Sequence, residues 1–507
     1  MTMASDSSKL ILRVTAMLSL ATVPAFAQTT LPAAPSAVIA QQNETLAKPA
    51  GSAFVFSAPS TQRGPGGVAI EAAKDGILSL SLDDAIALSL DRNLRLKYDR
   101  ANLRAVKGDT LGVIDALVPS VTLNAQSTAQ EIDLAAMGFK PSLLDTFSSS
   151  GLLPPGTVIA TIVKVDYTQA SLNVNQSLFN LPDYELYRGT KNETAVVNLT
   201  NLNDRGNVIL AVGMTYLQIL ADESNLANAQ AQVRSTKTLF DQATQKLNAG
   251  VGIRLDALRG QVQYQQRQQD VVAAQSKLAK DTIQLARIMG IPAGQKIQLT
   301  DTAPFAELAG MDLEAAKITA FAHRKDLLSL EQQIEVTSRE QRAVKYQRLP
   351  TLAFNGFYGI IGLDTGPYHG NFVAEGTLNV PIFREAAQRG EQEVVDSQSV
   401  ALHQREADLR VSIEAQIRTA QLDVEAAEKL VKVSQSSVDL AQQELSDERD
   451  RFSAGVDDNL PVVDAEASVA SAQAQLVQSL YQFNVAKLEL ARNTGVIESR
   501  YRTYLDQ

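Results

Sequence analysis

Leu247-Asn248-Ala249-Gly250-Val251-Gly252 and Phe452-Ser453-Ala454-Gly455-Val456-Asp457 stand 205 residues apart and share the same Ala-Gly-Val turn. Upstream of the first turn every seventh residue is apolar: Val212, Ile219, Leu226, Val233, Phe240 and Leu247. Upstream of the second the same spacing gives Ile417, Val424, Val431, Val438, Leu445 and Phe452. Downstream, Tyr264, Val271, Leu278 and Leu285 correspond to Val469, Leu476, Phe483 and Leu490. Both returning arms end alike, in Leu285-Ala286-Arg287 before Gly290 and in Leu490-Ala491-Arg492 before Gly495. A sustained seven-residue apolar seam predicts helices that supercoil against neighbours. Its gapless recurrence means that a whole structural half, built on a helical hairpin, has been duplicated.

The rest of each half repeats as well. Leu80-Ser81-Leu82-Asp83-Asp84-Ala85 opens the first and Met311-Asp312-Leu313-Glu314-Ala315-Ala316 the second. Ser81 or Asp83 can cap a helix that runs to about Leu117 and stops before Pro119. The spacing from Leu82 to Pro119 equals that from Leu313 to Pro350, and each Pro leads a strand with period two. Val121, Leu123 and Ala125 alternate with Thr122, Asn124 and Gln126; Ala170, Leu172 and Val174 alternate with Ser171, Asn173 and Asn175. Phe372, Ala374, Gly376 and Leu378 alternate with Val373, Glu375, Thr377 and Asn379. One apolar and one polar face fit a sheet with lipid or core on one side and water on the other.

The expected layout is a signal peptide at 1–27, a flexible leader at 28–77, repeats at 78–300 and 301–497, and a tail at 498–507. Within the repeats, strands are expected at about 119–131, 158–179, 350–361 and 371–383, and hairpins at 183–290 and 385–495. Lys9, Arg13, the apolar run Val14 to Val23 and Ala25-Phe26-Ala27 make a cleavable export signal; a short membrane anchor is the competing reading. Residues 28–76, rich in Ala, Pro, Ser, Gly and Gln, show no sustained period. A formal charge of −10 argues against a nucleic-acid partner, and zero cysteines exclude disulfides, thiolate metal sites and a lipid carried on an N-terminal cysteine.

No later run is apolar enough to span a bilayer as a helix, so any membrane span must be a β-barrel. Four strands cannot close a barrel, for which about eight are the minimum. Several chains would have to share one, and three would give twelve strands.

These features resemble the outer-membrane efflux protein family, the TolC-like channel-tunnels, over about Leu78 to Ile497. The resemblance implies a mainly α fold with a transmembrane β part: a homotrimer with a 12-stranded β-barrel on a 12-helix α-barrel tunnel. It also implies a periplasmic adaptor (membrane fusion) protein, an inner-membrane pump and outer-membrane lipid as partners. At the hairpin tips, Gly250, Val251, Gly252, Gly455 and Val456 match the positions that meet the adaptor in the family. The competing reading is that these glycines only turn the chain. For the periplasmic gate, the resemblance puts Asp256 and Asp464 at inward acidic positions, although Pro461 departs from the pattern. Asp457 and Asp458 stand where the family can carry Arg, and Phe452 where a hydrogen-bonding Tyr can occur. Arg254 on the first tip then allows a sign-reversed lock against Asp457 or Asp458; solvated loop charges are the alternative. Asp464 either rings a cation-favouring constriction or caps a helix start.

Chemistry finds no support in the residues. His323, His369 and His403 lie in separate segments, without metal-ligand spacing, a phosphate-binding Gly pattern or a nucleophile elbow around them. No cofactor is expected. The reading is a passive exit duct; a secreted or surface coiled-coil scaffold without a pore is the alternative, and an enzyme comes third.

Overall fold

The computed structural model describes residues 76–133, 135–136, 142, 161–302, 305–308, 312–363, 366–454, 456 and 460–505, all in the unit spanning Gly64–Gln507. The signal segment, the leader up to residue 75, Gly455, Asp457 and Asp458 lie outside the described residues.

Each half is built around one long helix. In the first, β1 (Ile77–Leu80), α1 (Leu82–Arg92), α2 (Leu94–Asp115), β2 (Ser120–Asp133) and β3 (Ile162–Phe179) precede α3 (Leu181–Asn248) and α4 (Arg254–Met289). In the second, β4 (Lys296–Leu299), α5 (Leu313–His323), α6 (Lys325–Tyr346), β5 (Thr351–Leu363) and β6 (Tyr368–Asn379) precede α7 (Glu385–Ser453) and α8 (Leu460–Asn493). The chain ends in α9 (Ile497–Leu505). At 1.5 Å per residue, the 68 residues of α3 and 69 of α7 extend roughly 100 Å each.

The seam is buried where the two halves meet. Val212, Ile219, Ile417, Val431, Phe483 and Leu490 are all buried in one continuous core. Lower on α3 the buried line moves to Ala229, Thr236 and Ala243, small positions that admit a neighbouring helix closely.

The single capped helix expected over 82–117 is two. Ser81 and Asp84 form a capping box at the start of α1. The chain then breaks at Asn93, which recaps α2 through the Arg95 amide (2.9 Å) and donates its side-chain amide to the Ile288 carbonyl (2.9 Å). In the second half the break falls at Arg324, which donates to Gln416 (2.6 Å) and pairs with Asp326. A buried polar side chain bonded to a distant helix makes each kink a tertiary event. The 498–507 tail is largely helical too: α9 buries Tyr504 and Leu505, and Arg502 pairs with Asp83 (2.7 Å).

The short parallel pair β1–β4 joins the starts of the two halves. Tyr216 of α3 donates to the Leu80 carbonyl (3.0 Å) beside it. The connection after β4 crosses α8 and α7. There Phe305 packs on Phe483, the buried Lys487 donates to the Ala306 carbonyl (3.1 Å), and Glu307 meets Lys432 (2.7 Å).

The main sheet is antiparallel, in the order β2-β3-β5-β6. Its register aligns apolar residues along one face. Leu123, Leu172, Tyr358 and Phe372 form one cross-strand row, Val121, Val174, Gly356 and Ala374 the next. The opposite face is mixed: it carries Asn124, Ser171 and Asn371, and Gln126, Gln169 and His369, with Phe357, Ile361 and Val373 among them. Leu123, Tyr358 and Phe372 are exposed on the apolar face, and β2 and β6 are edge strands of this sheet. Among the described residues no helix is long and apolar enough to cross a membrane.

Candidate functional site: the hairpin tips and the contacts between hairpins

At the first tip α3 ends in a Schellman turn. Gly250 takes φ +75°, its amide donates to Leu247 O (3.0 Å), and the Val251 amide reaches Lys246 O (3.0 Å). The Gly252 amide also reaches Lys246 O (2.9 Å), and a Cβ at Gly252 would fall 2.8 Å from the Leu247 nitrogen. Only glycine fits a turn folded this tightly onto its own helix. At the second tip the Val456 amide bonds Arg451 O (3.1 Å), the same bond displaced by 205 residues. Val251 and Val456 are 80% and 67% exposed, so both tips present an apolar side chain to their surroundings.

Of the expected gate residues, Arg254 is exposed at the first position of α4, and Asp256 lies in that helix's first turn, 3.9 Å from Arg259. Asp464 is exposed in the second turn of α8, past the capping position, where its backbone carbonyl accepts from Ser468. The opposing Asp457 and Asp458 lie outside the described residues, as does Gly455.

Two contacts between the hairpins were not read from the sequence. Lys246, two residues before the end of α3, sits with its Nζ 3.8 Å from the centroid of the Phe452 ring and donates to the Phe452 carbonyl (3.3 Å). Phe452 is buried with Leu239 and Val462, backed by Leu445, so α3, α7 and α8 close on one apolar plug. Higher up, Glu466 of α8 is buried; it accepts from Ser235 of α3 (2.6 Å) and from Arg449 of α7 (2.8 Å), and Arg449 also contacts Ser235. At 1.5 Å per residue Ser235 stands about 20 Å above the end of α3. At position 452 the contact is a cation on an aromatic face. Its partners lie over 200 residues apart and no local motif marks them.

Near the break at Asn93, Asp99 and Asp204 converge. Arg95 bridges to Asp204 (2.8 Å), and Asn207, itself bonded to Arg492 (2.8 Å), faces the same carboxylate. Burial, and then the charge of Asp204, push Asp99 up to about 6, with Arg95 opposing. A raised acid pKa means that the folded state holds this proton longer than the unfolded chain. Its stabilising effect is complete below about pH 4 and is lost as pH rises through about 6. With Asp99 only partly buried, the change is discounted to about 1 kcal/mol. Asp99→Asn is expected to raise the thermal unfolding temperature at pH 7.5 and to leave it nearly unchanged at pH 3.5. A variant whose pH slope parallels the parent's would refute this.

A curled four-stranded sheet with one apolar face, set on long paired helices, defines the subunit of a channel-tunnel: a β-barrel continued by a helical tunnel. The chain belongs to the outer membrane efflux protein family, whose profile matches residues 85–291 and 319–496. It is 23% identical over 356 residues to the alkaline protease secretion protein AprF of Pseudomonas aeruginosa, covering 65% of this chain and 70% of that one. It is 22% identical over 361 residues to the outer membrane protein TolC of Escherichia coli, covering 66% and 70%. The outer membrane protein VceC of Vibrio cholerae superposes with a TM-score of 0.66 at 15% identity, over 82% of this chain and 96% of that one. The Campylobacter jejuni CmeC outer membrane channel gives 0.69 at 14%, over 82% and 86%. The family is one of outer-membrane channels rather than enzymes.

Proposed function

We propose that three copies of this chain form an outer-membrane exit duct that conducts cargo passively from the periplasm or a pump to the exterior. The observation that carries this is the sheet: four strands with an apolar face and two edge strands. Open edges are not tolerated in lipid, and three copies joined edge to edge close twelve strands. A coiled-coil scaffold gives no reason for such a sheet. The exposed tips, Gly250-Val251-Gly252 and Gly455-Val456, dock an adaptor's helical hairpins, and an inner-membrane pump supplies the energy. Export through a cleaved signal at 1–27 delivers the chain to the periplasm.

The gate lies at the periplasmic end. Lys246 on Phe452, and Arg449 with Glu466 on Ser235, tie the two hairpins of each chain together in the closed state. Arg254 adds a charge lock against Asp457 or Asp458, and Asp256 and Asp464 line the constriction. If Arg254→Asp and Asp457→Arg each leave closed-state conductance unchanged, that lock is absent. Cargo lies within the range that the relatives' names span, including protease secretion.

Extraction from outer membranes in mild detergent, followed by native mass spectrometry and planar-bilayer recording, tests the whole reading. A trimer that conducts is expected. A monomer or dimer soluble without detergent would overturn the duct in favour of the scaffold.

A further inference from the structure

Inside the chain, α3 is held from outside its own hairpin by α8 and α6. A shift of 205 residues carries α3 onto α7 and α8 onto α4. A shift of 231, the spacing from Leu82 to Leu313, carries α6 onto α2. The folded chain keeps both shifts: the helix breaks at Asn93 and Arg324 differ by 231, and the left-handed Gly290 and Gly495 by 205. The twin of the α3 contact would therefore set α7 against α4 and α2. Within one chain α7 packs chiefly on α8 and α6, and both α4 and α2 pack on α3.

Residues on these flanks are exposed where their twins are buried. Leu488 of α8 is 1% exposed and lies over Gly213 of α3, whereas its twin Ile283 of α4 is 49% exposed. The buried Gly206 of α3 lies against Arg492 and Ile497, whereas its twin Val411 of α7 is 70% exposed. Glycines add to this. A Cβ at Gly108 of α2 or Gly390 of α7 would meet nothing within 4 Å, although each glycine costs its helix about 1 kcal/mol relative to alanine. Their twins are Arg339 and Glu185, which pair at 3.1 Å between α6 and α3. Nothing within the chain calls for the two glycines; a helix of a second copy approaching closely does.

The charges single out one contact. Arg492 of α8 donates to Asn207 (2.8 Å) and Asn203 (2.9 Å) of α3. The twin of Arg492 is Arg287 of α4, and the twins of Asn203 and Asn207 are Asp408 and Ser412 of α7. Arg287 and Asp408 are both exposed, and neither makes a hydrogen bond or ion pair among the described residues. A neutral acceptor inside the chain is thus an acid on the open flank, where it complements a guanidinium.

We propose that α4 and α2 of one copy grip α7 of the next, and that Arg287 pairs with Asp408 of that neighbouring copy. One flank of each copy meets the opposite flank of another, a heterologous contact that closes into a ring. The charge pair distinguishes the joint between copies from the neutral one within a chain, and so fixes which flank meets which. The inference rests on the three-copy reading above and names the residues that make its joint.

The chain contains no cysteine, so an introduced pair reports alone. The full-length double variant Arg287→Cys/Asp408→Cys is treated in outer membranes with a short bismaleimide. Covalent dimers and trimers are expected under denaturing conditions, with monomer only from either cysteine alone. Arg287→Asp and Asp408→Arg should each lower the temperature at which the detergent-extracted trimer dissociates, and combining them should recover most of the loss. No cross-link, a cross-link within one chain, a cross-link from a single cysteine, or losses that simply add would each overturn the pair. A parent trimer in native mass spectrometry keeps the duct in all of those cases. A parent that is no oligomer overturns both. Should a reversal fail to assemble, Arg287→Gln and Asp408→Asn replace it, and the double variant should then lose no more than either single one.

Discussion

Gly290→Ala and Gly495→Ala are each expected to abolish or severely weaken assembly, whereas Gly250→Ala leaves it largely intact. All three glycines have nearly the same left-handed backbone, φ +71°, +77° and +75°. A side chain there costs about 1–2 kcal/mol by itself. Their surroundings differ. A Cβ at Gly290 would stand 2.8 Å from the Arg92 carbonyl oxygen, and one at Gly495 would stand 2.8 Å from the Arg324 nitrogen and the His323 carbonyl carbon. Around Gly250 nothing lies within 4 Å. Backbone cannot swing aside as a flexible side chain can, so either substitution must push the returning helix away from the α1–α2 or α5–α6 break. With the packing loss the cost rises to about 3 kcal/mol or more at each inner site. Thermal dissociation in detergent measures it. Equal shifts at positions 250 and 290 would show that backbone strain alone matters and that the close approach does not.

If the hairpin ends form the gate proposed above, cutting both ties between the hairpins should leave it partly open. In Lys246→Met the Phe452 ring keeps its apolar cover and loses its cation, worth about 1 kcal/mol at a half-exposed site. Arg449→Ala leaves the buried Glu466 with Ser235 as its remaining partner. Discounted for the 45% exposure of the Arg449 side chain, that costs about 1–2 kcal/mol. Together the two remove about 2–3 kcal/mol per chain from the closed state, a shift of roughly 30- to 150-fold in the open-to-closed ratio. Planar-bilayer recordings should show a raised resting conductance for each single variant and a larger rise for the double. Stability of the assembly should change little, because neither site lies in the main core where the two halves meet. Resting conductance equal to the parent's in the double variant would remove these contacts from the gate.

Both predictions use positions that differ in legibility. The glycines are visible in the sequence as helix-end residues matched across the repeat. That Gly290 and Gly495 each back onto a helix break is not visible, because Arg92 and Arg324 are remote in sequence and carry no periodic mark. The tips were legible for the same reason as the seam: a turn and a heptad are local patterns written twice. The Lys246–Phe452 and Arg449–Glu466–Ser235 contacts were not, since each joins residues of different helices whose identities are ordinary for exposed helical positions.

The sequence by itself determined the duplicated helix–strand–strand–hairpin order, the seven-residue seams and the two-faced strands. It also determined that a membrane span, if any, must be a shared barrel. Those properties follow from periodicity and from the cost of unpaired backbone in lipid, which act over a few residues at a time. Only the tertiary structure decided the breaks at Asn93 and Arg324, the β1–β4 pair, the docking of α9 and the bulge between Ser177 and Phe179. It alone decided which residues of the two hairpins meet. Each of these depends on which backbone group or side chain arrives from far along the chain, and that is set by packing rather than by local pattern.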